Sequence, residues 1–277
     1  MIAMTYSYMI PSISSLPSGY DCTVAAPLDK VAKNLIGGTG RVVQNISVYS
    51  EGERITQYEE LHVFENGQRV GDAVPPFVWQ DQLPAGVSGF LESSFRIEDE
   101  APLFAANTVL SFYSMYSKAG KKSFFSDNAY LYAAPPVIAQ IAKYGQYIDG
   151  YPVVRLDRDY DYGESIIFIN PYHKPLKAGI VTAENGAISG IRVPPLSTRM
   201  ISLEALLKAD TRRWAGQIQI TATNRVITFD VKHSLRDPSV ISDHEHLDPY
   251  RGEPTHFPAT RWFRLRVGKW LMRRGMI

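Results

Sequence analysis

Glu65-Asn66-Gly67-Gln68-Arg69-Val70-Gly71-Asp72-Ala73-Val74-Pro75-Pro76 and Glu184-Asn185-Gly186-Ala187-Ile188-Ser189-Gly190-Ile191-Arg192-Val193-Pro194-Pro195 are the two stretches on which the reading of the fold turns. They align without a gap at an offset of 119, and seven of twelve positions are identical where chance gives roughly one. Asn-Gly between apolar runs signals a hairpin, because a type I′ turn needs positive φ at both central residues. The Pro-Pro pair then ends the returning strand, since proline has no N–H for the ladder. At the same offset, Val48-Tyr49 falls opposite Ile167-Phe168 and Leu61 opposite Ile180. Each copy therefore reads strand, turn, strand, Asn-Gly, strand, Pro-Pro, which predicts a duplicated β unit, with two ordinary hairpins of similar turn as the plain alternative.

Outward from these hairpins, short β runs are expected at 41–50, 57–64, 89–97 and 108–117. Turn material separates them at Gly37-Gly38-Thr39-Gly40, Glu51-Gly52 and Lys118-Ala119-Gly120. A second set is expected at 165–169, 178–183 and 188–193. Residues 214–222 and 225–232 then read as a further hairpin, with Ile218 and Ile220 alternating against polar neighbours and Ile227, Phe229 and Val231 repeating the pattern. This predicts an antiparallel sheet with one wet face. Helices are expected at 136–144, opened by proline and closed by Gly145, and at 201–208. Residues 1–18, rich in Ser and Pro, read as a loose leader. Four prolines between 238 and 258 make 234–260 an extended segment that lies on the body or is disordered. The predicted architecture is mainly β: two tandem antiparallel β-sandwich-like modules (19–150 and 151–233), one or two short helices, and an extended, polar, basic C-terminal tail (234–277).

Composition suits a globular body, with 45% hydrophobic and 21% charged residues. Sixteen Tyr, twelve Phe and four Trp favour pleated, half-buried surfaces. The net charge of +1 gives no global pull toward nucleic acid. One cysteine, Cys22, cannot form an internal disulfide, which fits a reducing compartment. The N-terminal apolar stretch has no preceding Lys or Arg and is broken by polar residues and Pro11, so a secretory signal is not expected. The localisation expected is cytoplasmic, with peripheral attachment to a membrane.

Four constellations could carry chemistry. Asp157, Asp159 and Asp161 alternate like the opening of a calcium loop, but Tyr162 stands where that loop needs glycine and Phe168 where it needs glutamate. In an extended chain the same alternation is a solvated linker face. His244 and His246 form an H-x-H pair, and i and i+2 on a strand point the same way toward one metal. No third ligand stands at a recognisable spacing, so a solvated surface run is the competing reading, and no cofactor is assigned. Tyr144, Tyr147, Tyr151, Tyr160 and Tyr162 crowd the junction between modules, where they line a ligand groove or pack across strands.

The fourth constellation is the C-terminal end. Residues 251–277 hold seven Lys or Arg and one acid, a charge of +6, so residues 1–250 carry 1 − 6 = −5. Arg264, Arg266, Lys269, Arg273 and Arg274 interleave with Trp262, Phe263 and Trp270. Such a mixture meets an anionic membrane surface or docks into a protein partner, and packing on the body is the plain alternative. No nucleophile elbow, P-loop or dinucleotide fingerprint is present. The reading that follows is a non-enzymatic binding or structural protein, attached by its tail to a membrane surface or protein partner. The rivals are a metal-assisted enzyme and a small-ligand carrier with a site at the tyrosine-rich junction. Sandwich edges also allow a homodimer.

Overall fold

A computed structural model describes residues 12–25, 39–65, 68–71, 76–97, 113–121, 123–127, 129–130, 147–150, 152–182, 188–222 and 226–247. Among them the chain is mainly β, with three antiparallel sheets and one short helix. A six-stranded sheet runs β10 (Ala129–Tyr130), β1 (Ser12–Leu16), β7 (Gly89–Ile97), β3 (Thr39–Ser50), β4 (Glu53–Glu65), β5 (Gln68–Val70). A four-stranded sheet runs β6 (Phe77–Trp79), β2 (Asp21–Ala25), β8 (Tyr113–Ser117), β9 (Phe124–Asp127). A nine-stranded sheet runs β15 (Ile188–Val193), β14 (Leu176–Thr182), β17 (Arg213–Ala222), β12 (Val153–Asp157), β13 (Tyr162–Asn170), β18 (Ile227–Ser234), β19 (Ile241–His246). In it β11 (Tyr147–Gly150) also pairs with β17, and β16 (Ser197–Ser202) with β13.

The longest pairing joins β3 to β4 through Glu51-Gly52, both at positive φ, 50° and 93°. A two-residue turn of this hand matches the twist of the strands it joins, so this hairpin is locally determined.

Two hydrophobic cores result. The first lies between the six- and four-stranded sheets and takes in Ile13, Val42, Ile46, Phe64, Phe90, Trp79 and Tyr116. It continues into Ile167, Ile169, Phe229 and Val231 of β13 and β18. The second holds Val154, Leu156, Ile166, Phe168, Ile180, Ile191, Ile218 and Ile220. Strand β13 thus sends alternate side chains into different cores, which explains its unbroken Ile166-Ile167-Phe168-Ile169 run: both faces are buried.

Several expectations are corrected. The leader contains β1, fully buried and hydrogen-bonded between β7 and β10. Of its serines only Ser14 has a partnered hydroxyl, 2.9 Å from Ser114, while the Ser15 carbonyl accepts from Tyr116 at 2.6 Å and the Ser12 and Ser15 hydroxyls are buried without one. The strands on either side of each Asn-Gly segment pair antiparallel, but their pairing differs. Glu65 pairs with Gln68, a two-residue loop, whereas the innermost described pair of the second hairpin is Val181 with Ile188. Moreover β3 pairs with β4, while β13 pairs with β12, β16 and β18 and not with β14. Similar sequences sit in different topologies, and Pro194 ends β15 directly whereas β5 has already stopped at Val70. The runs 214–222 and 225–232 are no hairpin either: β17 pairs with β11, β12 and β14, and β18 with β13 and β19.

The helix expected at 201–208 shortens to α1 (Leu203–Leu206), capped by the Ser202 hydroxyl, which accepts from the Ala205 N–H at 3.3 Å. The polar segment beginning at 234 supplies β19, which extends the sheet beside β18 and runs along β9. The helix expected at 136–144 lies outside the described residues. Among those described, no helix is long and apolar enough to cross a membrane.

Candidate functional site

Among the described residues a cluster of titratable groups lies on the face of β13, β18 and β19 that turns away from the first core. On β18, Phe229 and Val231 enter that core, so Asp230 and Lys232 must point the other way. The register places Glu164 opposite Lys232, Asp230 opposite Glu245, and Lys232 opposite Asp243. Three carboxylates therefore reach one ammonium, with Glu164 as a fourth on the neighbouring strand. The Lys232 Nζ lies 2.6 Å from Asp243, 3.4 Å from Glu245 and 3.9 Å from Asp230. Glu164 accepts instead from the Tyr162 hydroxyl at 2.5 Å, and the Arg155 guanidinium lies 5.6 Å from the Tyr162 ring centre.

The two inner carboxylates differ from the outer pair. Glu164 is 4% exposed and Asp230 5%, and each keeps one buried oxygen, Oε2 and Oδ1, without a hydrogen-bond partner. Burial, then the charge of Glu164, raises Asp230 to about 7 despite Lys232. Burial also raises Glu164 against the pull of Tyr162, Arg155 and Lys232. Lys232 moves up because its carboxylates outweigh its partial burial. A shallow depression beside Glu164 is walled by Val154, Ile166, Ile201, Leu203, Leu206 and Ile218.

The run 157–164 is neither a calcium loop nor a linker face. It is the β12–β13 hairpin, and the chain reverses within it, so the three Asp side chains part company. Asp157 is buried and accepts from the Arg155 guanidinium at 2.6 Å and from the backbone N–H of Asp159 and Tyr160. Its burial raises the carboxyl, but these bonds and Arg213 prevail and hold it low. Asp159 pairs with Arg212 and Arg213. Asp161, at φ 56°, accepts from the Ser234 hydroxyl and the Arg236 N–H. Each Asp is spent on the turn or on an arginine.

His244 and His246 do share a face, as alternation requires, since both rings lie against Phe229 at 5.0 and 5.4 Å. That face is no surface, however. His244 is fully buried, flanked also by Tyr116 at 5.1 Å and Phe124 at 5.8 Å, and neither ring nitrogen has a hydrogen-bond partner. Burial pushes its pKa down to about 3. The neighbouring His233 is satisfied: Nδ1 donates to the Ser234 carbonyl, so Nε2 accepts from Ser165. Among the described residues no three His, Cys, Asp or Glu side chains are grouped to hold a metal ion.

Of the junction tyrosines, Tyr160 is exposed at the hairpin tip, with Arg213 5.6 Å from its ring centre, and Tyr162 serves Glu164. Tyr147 lies on β11, paired with Ala222. Tyr144 and Tyr151 lie outside the described residues, as do Trp262, Phe263, Arg264, Arg266, Lys269, Trp270, Arg273 and Arg274. The Cys22 thiol is buried against β8, which pushes it up to about 12 and leaves it un-ionised. Asp230, Lys232, Asp243 and Glu245 escape a motif search because they sit on separate strands. The signal present was the alternation of β18, which marks Asp230 and Lys232 as one face but does not tell that Asp230 is buried.

No family model matches the chain, and no curated protein is significantly similar to it.

Proposed function

We propose that this chain is a non-enzymatic binding scaffold, a β body that attaches through its basic, aromatic C-terminal segment to an anionic membrane surface. The observation that carries this reading is the division of charge: +6 in residues 251–277, interleaved with Trp262, Phe263 and Trp270, against −5 in the rest. Lys and Arg near an anionic surface contribute about 1 kcal/mol each, and tryptophan adds interfacial anchoring. Supporting it, the acids of the β12–β13 turn are occupied by arginines and backbone amides, and His244 is dry. Sedimentation with vesicles of phosphatidylcholine, with and without phosphatidylserine, tests it. The full chain co-sediments only with the anionic vesicles and is released by salt, and truncation after Pro258 abolishes this. Equal sedimentation of both chains sinks the reading.

One observation favours attachment to a protein instead. On the outer face of the four-stranded sheet, Val78, Thr23, Met115 and Phe125 stand in register across β6, β2, β8 and β9. Val78 is 52% exposed and Phe125 68%, with Tyr113 beside them at 56%. An apolar row of this kind on a sheet face marks a protein contact. Under this reading Phe125→Ser with Val78→Ser abolishes partner binding while the tail truncation does not.

A further inference from the structure

The carboxylate face of β13, β18 and β19 holds more acid than its cations neutralise. Glu164 and Asp230 are diagonal neighbours on adjacent strands, since Glu164 pairs with Lys232 and Asp230 lies two residues before it. Diagonal cross-strand neighbours stand about 7–8 Å apart, within reach of long side chains. Both are nine-tenths buried and each turns one unpartnered oxygen into the protein. The charged and titratable groups facing them are Arg155 from β12, Tyr162 from β13, Lys232 from β18, and Asp243 and Glu245 from β19. Arg155 is held by Asp157 at 2.6 Å, and Lys232 leans closest to Asp243. One lysine cannot neutralise four carboxylates, and a buried carboxylate oxygen without a donor is costly in the ionised form. A metal ion does not fill the gap, because no three ligating side chains are grouped among the described residues.

We infer that Glu164 and Asp230 jointly hold a single proton, and that releasing it to solvent loosens edge strand β19 from β18. The loosening follows from the register. Asp230 pairs with Glu245, and Lys232 with Asp243, so a new negative charge on β18 faces two carboxylates on β19. Like charges directly opposite on paired strands destabilise the pair. Strand β19 ends the sheet, and its ladder to β18 is broken by a register shift after Lys232. The two carboxyls titrate as a pair, not as two independent sites.

Hydrogen exchange followed by mass spectrometry on the full chain tests this, with protection in β19 compared with protection in β3–β4 after correction for the intrinsic pH dependence. Between about pH 5.5 and about pH 8.5 the protection of β19 falls about tenfold in the wild type while β3–β4 stays constant. In Asp230→Asn, which keeps the shape and stays neutral, β19 protection is flat across this range. Glu164→Gln gives the same flattening and serves if the first variant does not fold. Infrared spectroscopy supplies an independent readout: the wild type shows the carbonyl band of a neutral buried carboxyl near neutral pH, and Asp230→Asn removes it. A flat wild-type profile, an equal fall in the variants, or no neutral carboxyl band overturns the inference.

Discussion

Strands β18 and β19 present two faces that treat buried polar groups in opposite ways. One face carries Asp230, Lys232, Asp243 and Glu245, beside Glu164 of β13, where charge is concentrated and a lysine mediates. The other face puts His244 among Phe229, Tyr116 and Phe124, where no partner is offered and the ring stays neutral. Burial acts on both, and its sign depends on the group: it raises the acid Asp230 to about 7 and lowers the base His244 to about 3. The same two strands are therefore sensitive to pH from both sides.

The largest test removes the ring that His244 packs against. Phe229→Ala takes a fully buried ring from the first core and should cost about 3–5 kcal/mol, read as a shift of the urea midpoint. It should also let solvent reach His244 and shrink its pKa depression, measured by NMR titration; an unchanged titration would mean that other contacts keep His244 dry. Next comes Lys232→Met, which leaves three carboxylates without their cation and should cost about 2 kcal/mol at alkaline pH. The loss should be smaller at mildly acidic pH, where Asp230 is protonated; equal losses at both pH values would break the picture of a charge-limited face.

His244→Phe sharpens the contrast by leaving the aromatic cluster intact and removing the base. Its folded pKa of about 3 lies below the ordinary value of 6.5, so the wild type should lose stability as pH falls through that interval. The variant should lose that slope and gain about 1 kcal/mol at neutral pH from eliminating two unpaired nitrogens. Asp230 works the other way. Its folded pKa of about 7 exceeds the ordinary 3.8, so its contribution is complete below about pH 4 and fades as pH rises toward 7. Asp230→Asn should flatten that limb in denaturation measured across pH. Smallest of all, Tyr160→Ala at the exposed hairpin tip should change stability by less than about 0.5 kcal/mol, since its arginine contact is open to solvent.

What the residues alone disclosed follows locality. The expected runs at 89–97 and 188–193 coincide with β7 and β15, because alternation and flanking turns are local signals. Strand β1 was illegible because its serines look like loop material, and its place is set by distant partners, the strands β7 and β10 and, about a hundred residues away, Ser114 and Tyr116. The supposed 214–232 hairpin failed for the same reason: two good strands close in sequence were sent to different neighbours by the rest of the sheet. At the candidate site, Glu164 stood within a run already singled out for its acids. Its four companions lie 66 to 81 positions further on and become its neighbours only through the register of β18 and β19.

Strand β13 threads one side chain into each core in turn, Ile166 and Phe168 to one, Ile167 and Ile169 to the other. Dividing the polypeptide near residue 150 would strip the cover from a wall that both halves own, leaving Ile167, Ile169 and Phe229 wet. Neither fragment is then a self-sufficient piece, and intact protein should melt as one cooperative body.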